Sequence, residues 1–177
     1  MKKVLSIALA LVMILSLSVT AFAEDQNVNA KYIPDMTIST TVTWGDMYFT
    51  YTQATSTWTA TNSSGTETED ANKVTVRNDS LNASIDVSAI YADNDSDAIT
   101  SAAFAPYIFS SQTTTFASGD DLSEARSASN SVSLGSDVSR NGVAEGWLMF
   151  TDGTGAASLS DSAFQRVGTL TLTITQH

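Results

Sequence analysis

The sequence predicts an all-β protein: a single antiparallel β-sandwich of immunoglobulin-like type, with about eight or nine strands, preceded by a signal peptide helix. Three observations predict it. Beyond the leader, apolar residues recur at every second position and helical periodicity is nearly absent. Thr and other β-branched residues are abundant, and these suit a pleated, half-buried surface. Clusters of Gly, Asn, Asp and Ser interrupt the alternation at short intervals, as turns do.

The leader comes first. Lys2 and Lys3 form a positive start, Val4 to Val19 is an apolar run, and Ala21-Phe22-Ala23 is a small-x-small cleavage site followed by Glu24-Asp25-Gln26. The apolar run is shorter than the roughly 20 residues of a membrane span. Residues 1–23 are therefore expected to be a cleaved signal peptide, residues 24–35 an N-terminal arm and residues 36–177 the sandwich. No Cys follows the apolar run to carry a lipid, and no LPxTG motif appears. The expected location is secreted, at the cell surface or in the extracellular matrix, with no membrane contact after cleavage.

Ile38, Thr40, Val42 and Trp44 alternate with Ser39, Thr41 and Thr43, and Met47, Phe49 and Tyr51 alternate with Tyr48 and Thr50. These are two strands of a hairpin, or one long strand kinked at Gly45. A short strand around Trp58 to Thr61 leads into a polar loop, Asn62 to Asn72. Lys73 to Arg77 is a strand with Val74 and Val76 on one face. Asn78-Asp79-Ser80 is a turn, and Ile85, Val87, Ala89 and Tyr91 form the clearest alternating strand. Phe104 to Phe109 reads as a strand placed at an edge by Pro106. Asp120 to Arg126 reads as one helical turn within a polar stretch. Val132 and Leu134 mark a short strand, and Trp147 to Phe150 is an apolar run typical of a strand buried on both faces. Gly153 to Ser162 is a small-residue loop, and Leu170, Leu172 and Ile174 alternate with Thr in the final strand. The expected core is Ile38, Val42, Trp44, Phe49, Val74, Val76, Ile85, Val87, Leu134, Leu148, Phe150, Leu170, Leu172 and Ile174.

Three segments carry a resemblance. Thr41-Val42-Thr43-Trp44-Gly45-Asp46-Met47-Tyr48-Phe49-Thr50-Tyr51, Lys73-Val74-Thr75-Val76-Arg77-Asn78 and Val167-Gly168-Thr169-Leu170-Thr171-Leu172-Thr173-Ile174 resemble motifs of uncharacterised small secreted β-sandwich proteins of Gram-positive, clostridia-like bacteria. The resemblance covers both ends of the domain and is poor over residues 92–145. It implies a secreted sandwich. It implies no activity, and no site residue is carried over from it.

Composition narrows the function. Without residues 1–23, six basic and 19 acidic residues remain, a net charge of −13. Such a surface repels phosphate backbones and anionic lipid, so nucleic acid is not an expected partner. The chain has no Cys, and its one His is His177. Ser-His and Cys-His catalysis lack their parts, and zinc lacks its usual ligands. A Ser-Lys dyad has only Lys31 and Lys73 to draw on. The acids lie mostly in polar loops beside Ser, Asn and Gly, where solvated charges belong. The expectation is a protein that is not an enzyme, with a structural or adhesive role. A carbohydrate-binding module is the alternative, and a small carboxylate-dependent glycosidase a distant one.

Two candidate sites follow. Trp58, Tyr48 and Tyr51, with Tyr107, are candidates for stacking on sugar rings if they share an exposed face. Asp93, Asp95 and Asp97 put three carboxylates at alternate positions, as a calcium loop does. Ala98 and Phe104 stand where an EF-hand needs Gly and Glu, so the loop is no EF-hand, and a solvated turn is its ordinary reading. Calcium is the one cofactor considered. The expected partners are envelope components or a second copy of the chain. In the latter case the arm Asp25 to Pro34, where Val28, Ala30 and Tyr32 alternate with Asn29 and Lys31, adds as a strand to a sheet edge.

Overall fold

The computed structural model describes residues 28–30, 37–93, 104–160 and 162–177, with backbone only at 28–30 and Asp93. The leader and the candidate loop residues Asp95 and Asp97 lie outside the described residues. The protein is all-β, as the alternation predicts. The described residues form twelve strands and one 3-10 turn at Ala156–Ser158, and contain no α-helix.

The first sheet holds β1 (Val28–Ala30), β6 (Ile85–Asp93), β10 (Val132–Val138) and β12 (Gly168–Gln176) in the order β1-β12-β6-β10. The second holds β2 (Thr40–Trp44), β5 (Lys73–Asn78), β7 (Pro106–Phe109), β9 (Ala125–Ser127) and β11 (Val143–Phe150) in the order β2-β5-β11-β7-β9. A third, smaller sheet is β3 (Tyr48–Thr52), β4 (Thr57–Thr61) and β8 (Thr115–Ala117), in the order β3-β4-β8. All pairs are antiparallel except β1 with β12.

The sheets are joined by their inward residues. Val74 and Val76 of the second sheet and Ile85, Val87, Leu172 and Ile174 of the first are all buried in one cluster. A Cβ added at Gly146 of β11 would lie 2.8 Å from the Leu134 side chain of β10, and one at Gly135 of β10 2.9 Å from Ala144 of β11. The sheets therefore approach closely because glycine stands at the crossing points. Aromatic rings fill the other end: Phe150 meets Tyr91, Trp58 and Phe104 at centroid separations of 5.9, 5.2 and 5.4 Å.

Two buried asparagines pin the ends of β5. Asn78 donates from Nδ2 to the carbonyls of Ala83 and Val138 at 2.8 Å, and its Oδ1 accepts from the Ser80 N–H at 2.9 Å. Asn72 donates to the carbonyls of Thr113, at 2.7 Å, and Leu148. Buried polar groups of this kind hold a unique arrangement because an unpaired one costs free energy.

Several expectations are corrected. β2 and β3 form neither a hairpin nor one strand: β2 pairs with β5 and β3 with β4, in different sheets. The chain changes sheets at Gly45 to Met47. There the Gly45 and Met47 N–H groups bond to the Lys73 and Ala71 carbonyls, both at 2.7 Å, and Met47 has φ of 57°. β7 is not an edge. It lies between β11 and β9, and Pro106 is tolerated as its first residue. Asp120 to Arg126 forms no helical turn. The Asp120 carboxylate accepts the Ala117 N–H, Asp121 caps the Ser123 N–H, and the chain enters β9. Side-chain bonds of Asp to nearby backbone compete with helix in this way. β8 and β9, at three residues each, are too short for alternation to reveal.

Candidate functional site

The aromatic candidates come from β3 and β4, which face each other in register: Tyr51 opposite Trp58 and Tyr48 opposite Thr61. Trp58 is 2% exposed, and its indole N–H donates to the Asp152 carbonyl at 2.9 Å. Tyr51, Phe104 and Phe150 surround it at 5.0, 5.7 and 5.2 Å. The sugar-stacking role expected of Trp58 is therefore corrected: the ring is core, since its alternation places it on the face covered by β11. Tyr51 and Tyr48 are half-buried; the first packs on Trp58, the second edge-on against Phe164 at 4.9 Å. Tyr107 lies on β7 of another sheet. The four do not share an exposed face.

Of the candidate calcium residues, Asp93 ends β6 opposite Gly168. Among the described residues no group of three His, Cys, Asp or Glu is placed to hold a metal ion, and no helix is long and apolar enough to cross a membrane.

Four of the described carboxylates act as local anchors. Asp79 accepts from Thr41 Oγ1 at 2.6 Å and pairs with Arg77 Nε at 2.7 Å; these partners outweigh desolvation and hold it below the usual carboxylate range, Thr41 contributing most. Asp86 accepts from the Asp137 N–H at 2.9 Å, from Ser136 Oγ at 3.1 Å and from His177 Nδ1 at 2.9 Å, and is lowered chiefly by that backbone bond. The Ser123 hydroxyl and N–H lower Asp121, and those of Thr154 lower Asp152.

One polar cluster emerges that sequence reasoning missed. The Lys73 ammonium sits 3.1 Å from Glu145, 3.7 Å from Asp70 and 4.9 Å above the Trp147 ring, while Trp147 Nε1 donates to Asp70 at 3.2 Å. Desolvation pulls Lys73 down, but the bonds and charges of Glu145 and Asp70 together raise it. Lys73 is thus engaged by two carboxylates and an aromatic face. Only the pairing of β11 with β5, which sets Trp147 opposite Lys73, would have revealed this cluster.

The remaining candidate is a sheet edge. β6 pairs with β12 along all nine residues, Gly168 to Gln176, on one side. On the other, β1 pairs in parallel at three positions: Val28 with Leu172, Asn29 with Thr173 and Ala30 with Ile174. This part of the arm thus pairs within its own chain. Among the described residues no strand lies beside Gly168 to Thr171 on that edge.

No protein-family model matches this chain, and no curated protein or solved structure matches it.

Proposed function

We propose that the chain is a secreted, non-enzymatic structural or adhesive protein of the cell surface or extracellular matrix. The observation that carries this reading is the way its carboxylates are used. Asp79, Asp86, Asp121 and Asp152 are each hydrogen-bonded to neighbouring turn or strand groups and held ionised below the ordinary range. A glycosidase's acid needs the opposite, a carboxyl raised so that it carries a proton at working pH, so these four do not fit that role. Anchored turns around an aromatic core suit a load-bearing module. The export leader and the clostridia-like motifs support a place outside the cell.

Immunogold labelling of producing cells tests the reading. The expected result is label on the envelope or in the surrounding matrix; label confined to the cytoplasm overturns it. A glycan array with the purified exported protein separates the alternative, since specific sugar binding would replace the structural reading with a carbohydrate-binding one.

A further inference from the structure

We propose that β2 pairs with β2 of a second copy, edge to edge and antiparallel, about a two-fold axis at Val42. Such a dimer goes beyond the structural reading above and does not depend on it.

β2 is the outermost strand of the second sheet, bonded to β5 alone among the described residues. Its outer side is open to solvent. Val42 and Val76 stand opposite each other in register, yet Val76, enclosed between β2 and β11, is 0% exposed while Val42 is half-buried. The ends of the strand fix the direction of its backbone groups. The Ser39 carbonyl accepts from the Asp79 N–H at 2.8 Å, and the Gly45 N–H donates to the Lys73 carbonyl at 2.7 Å. Antiparallel ladders alternate, so Thr41 and Thr43 also face β5. Thr40, Val42 and Trp44 turn their N–H and C=O groups to the open side.

Natural sheets guard such edges with charge, bulges, short strands or covering loops. β10, β8, β9 and β3 follow this rule. β10 shifts register on either side of Gly135 and carries Asp137 at a φ of 52°. β8 and β9 have three residues each, and β9 holds Arg126. β3 has Gly153 against Tyr51 and Phe164 against Tyr48. β2, Thr40-Thr41-Val42-Thr43-Trp44, has no charge, no proline and no bulge.

The strand fits itself. With the axis at Val42, Val42 meets Val42, Thr40 meets Trp44 and Thr41 meets Thr43. Thr40, Val42 and Trp44 map onto one another, so each outward N–H finds an outward carbonyl. The cross-strand partners are all β-branched or aromatic, which pair favourably. Charge points the same way. The chain is strongly acidic and two copies repel, so they approach best where no acid faces an acid. An isologous contact of this kind closes at two subunits. The contact is small, so the dimer is expected at high protein concentration and not on dilution.

The chain has no native cysteine, so cross-linking reads the register directly. Thr41 and Thr43 are exposed. Across the axis they form a non-hydrogen-bonded pair with Cα atoms about 4.5 Å apart, within disulfide reach. Whole-chain Thr41→Cys and Thr43→Cys variants, the first isotope-labelled, are purified as exported, and far-ultraviolet circular dichroism checks that both fold as the native protein does. They are mixed in equal amounts and oxidised, and mass separates the heterodimer from the two homodimers. The expected result is heterodimer roughly tenfold or more above either homodimer, as a high effective concentration produces, with its yield rising with protein concentration and no larger species. Heterodimer in the proportion of random collision overturns the proposal. Sedimentation of the unaltered protein gives a second measurement. A dimer that appears as concentration rises is expected, and a monomer throughout would sink the pairing.

Discussion

At the residue scale, Trp58 acts through burial and Asp86 through its charge. Trp58 joins three rings and a backbone carbonyl, so Trp58→Ala removes an indole from a packed site. The expected cost is about 3–5 kcal/mol, read as a lower denaturant midpoint. An unchanged midpoint would mean that the ring lies outside the core. Asp86 works by charge. Its folded carboxyl titrates below its ordinary value of 3.8, so its stabilisation is present above that value and is lost as pH falls through it toward the folded value. Asp86→Asn is expected to lower the melting temperature at pH 7, with the difference from the native protein closing as pH falls below the ordinary carboxylate value. A difference that persists there would show that packing, rather than ionisation, gives Asp86 its effect.

At the element scale, the passage from β2 to β3 depends on one glycine. A Cβ at Gly45 would stand 2.2 Å from the Asp70 carbonyl oxygen and 2.4 Å from that of Ala71. These are backbone atoms and cannot turn aside. Gly45→Ala is expected to destabilise by about 1–3 kcal/mol or more, whereas Gly119→Ala, where a Cβ would have no neighbour within 4 Å, bears only its positive-φ strain. Equal midpoints for the two variants in chemical denaturation would contradict this account. Gly45 is legible in the sequence as a turn signal. What it turns between is not, because a hairpin and a change of sheet use the same residues and differ only in which strand comes to lie alongside.

At the scale of the whole molecule, the first and second sheets share one core. Tyr91 of β6 meets Phe150 of β11, and Leu134 of β10 lies over Gly146 of β11. Neither sheet can open without exposing the inner face of the other, so unfolding is expected to be two-state. Near-ultraviolet and far-ultraviolet circular dichroism are expected to report coincident melts. Separate transitions would show that the sheets, or the smaller β3-β4-β8 sheet, unfold alone.

By itself the sequence determined the class of fold and most of its core. Alternation is a local property, and strands such as Ile85–Asp93 and Gly168–Gln176 announce which face is buried whatever they pair with. Ile38, Val42, Trp44, Phe49 and Leu134, expected in the core, are half-buried at its border, while Val74, Val76, Ile85 and Leu172 are fully inside. The tertiary structure alone decided the pairing. Strand order, the burial of Trp58, the Lys73–Glu145–Asp70–Trp147 cluster and the seat of β1 on β12 all join residues distant in the chain. No short-range pattern encodes which of several similar edges a strand will meet, because that choice rests on the summed packing of all the others.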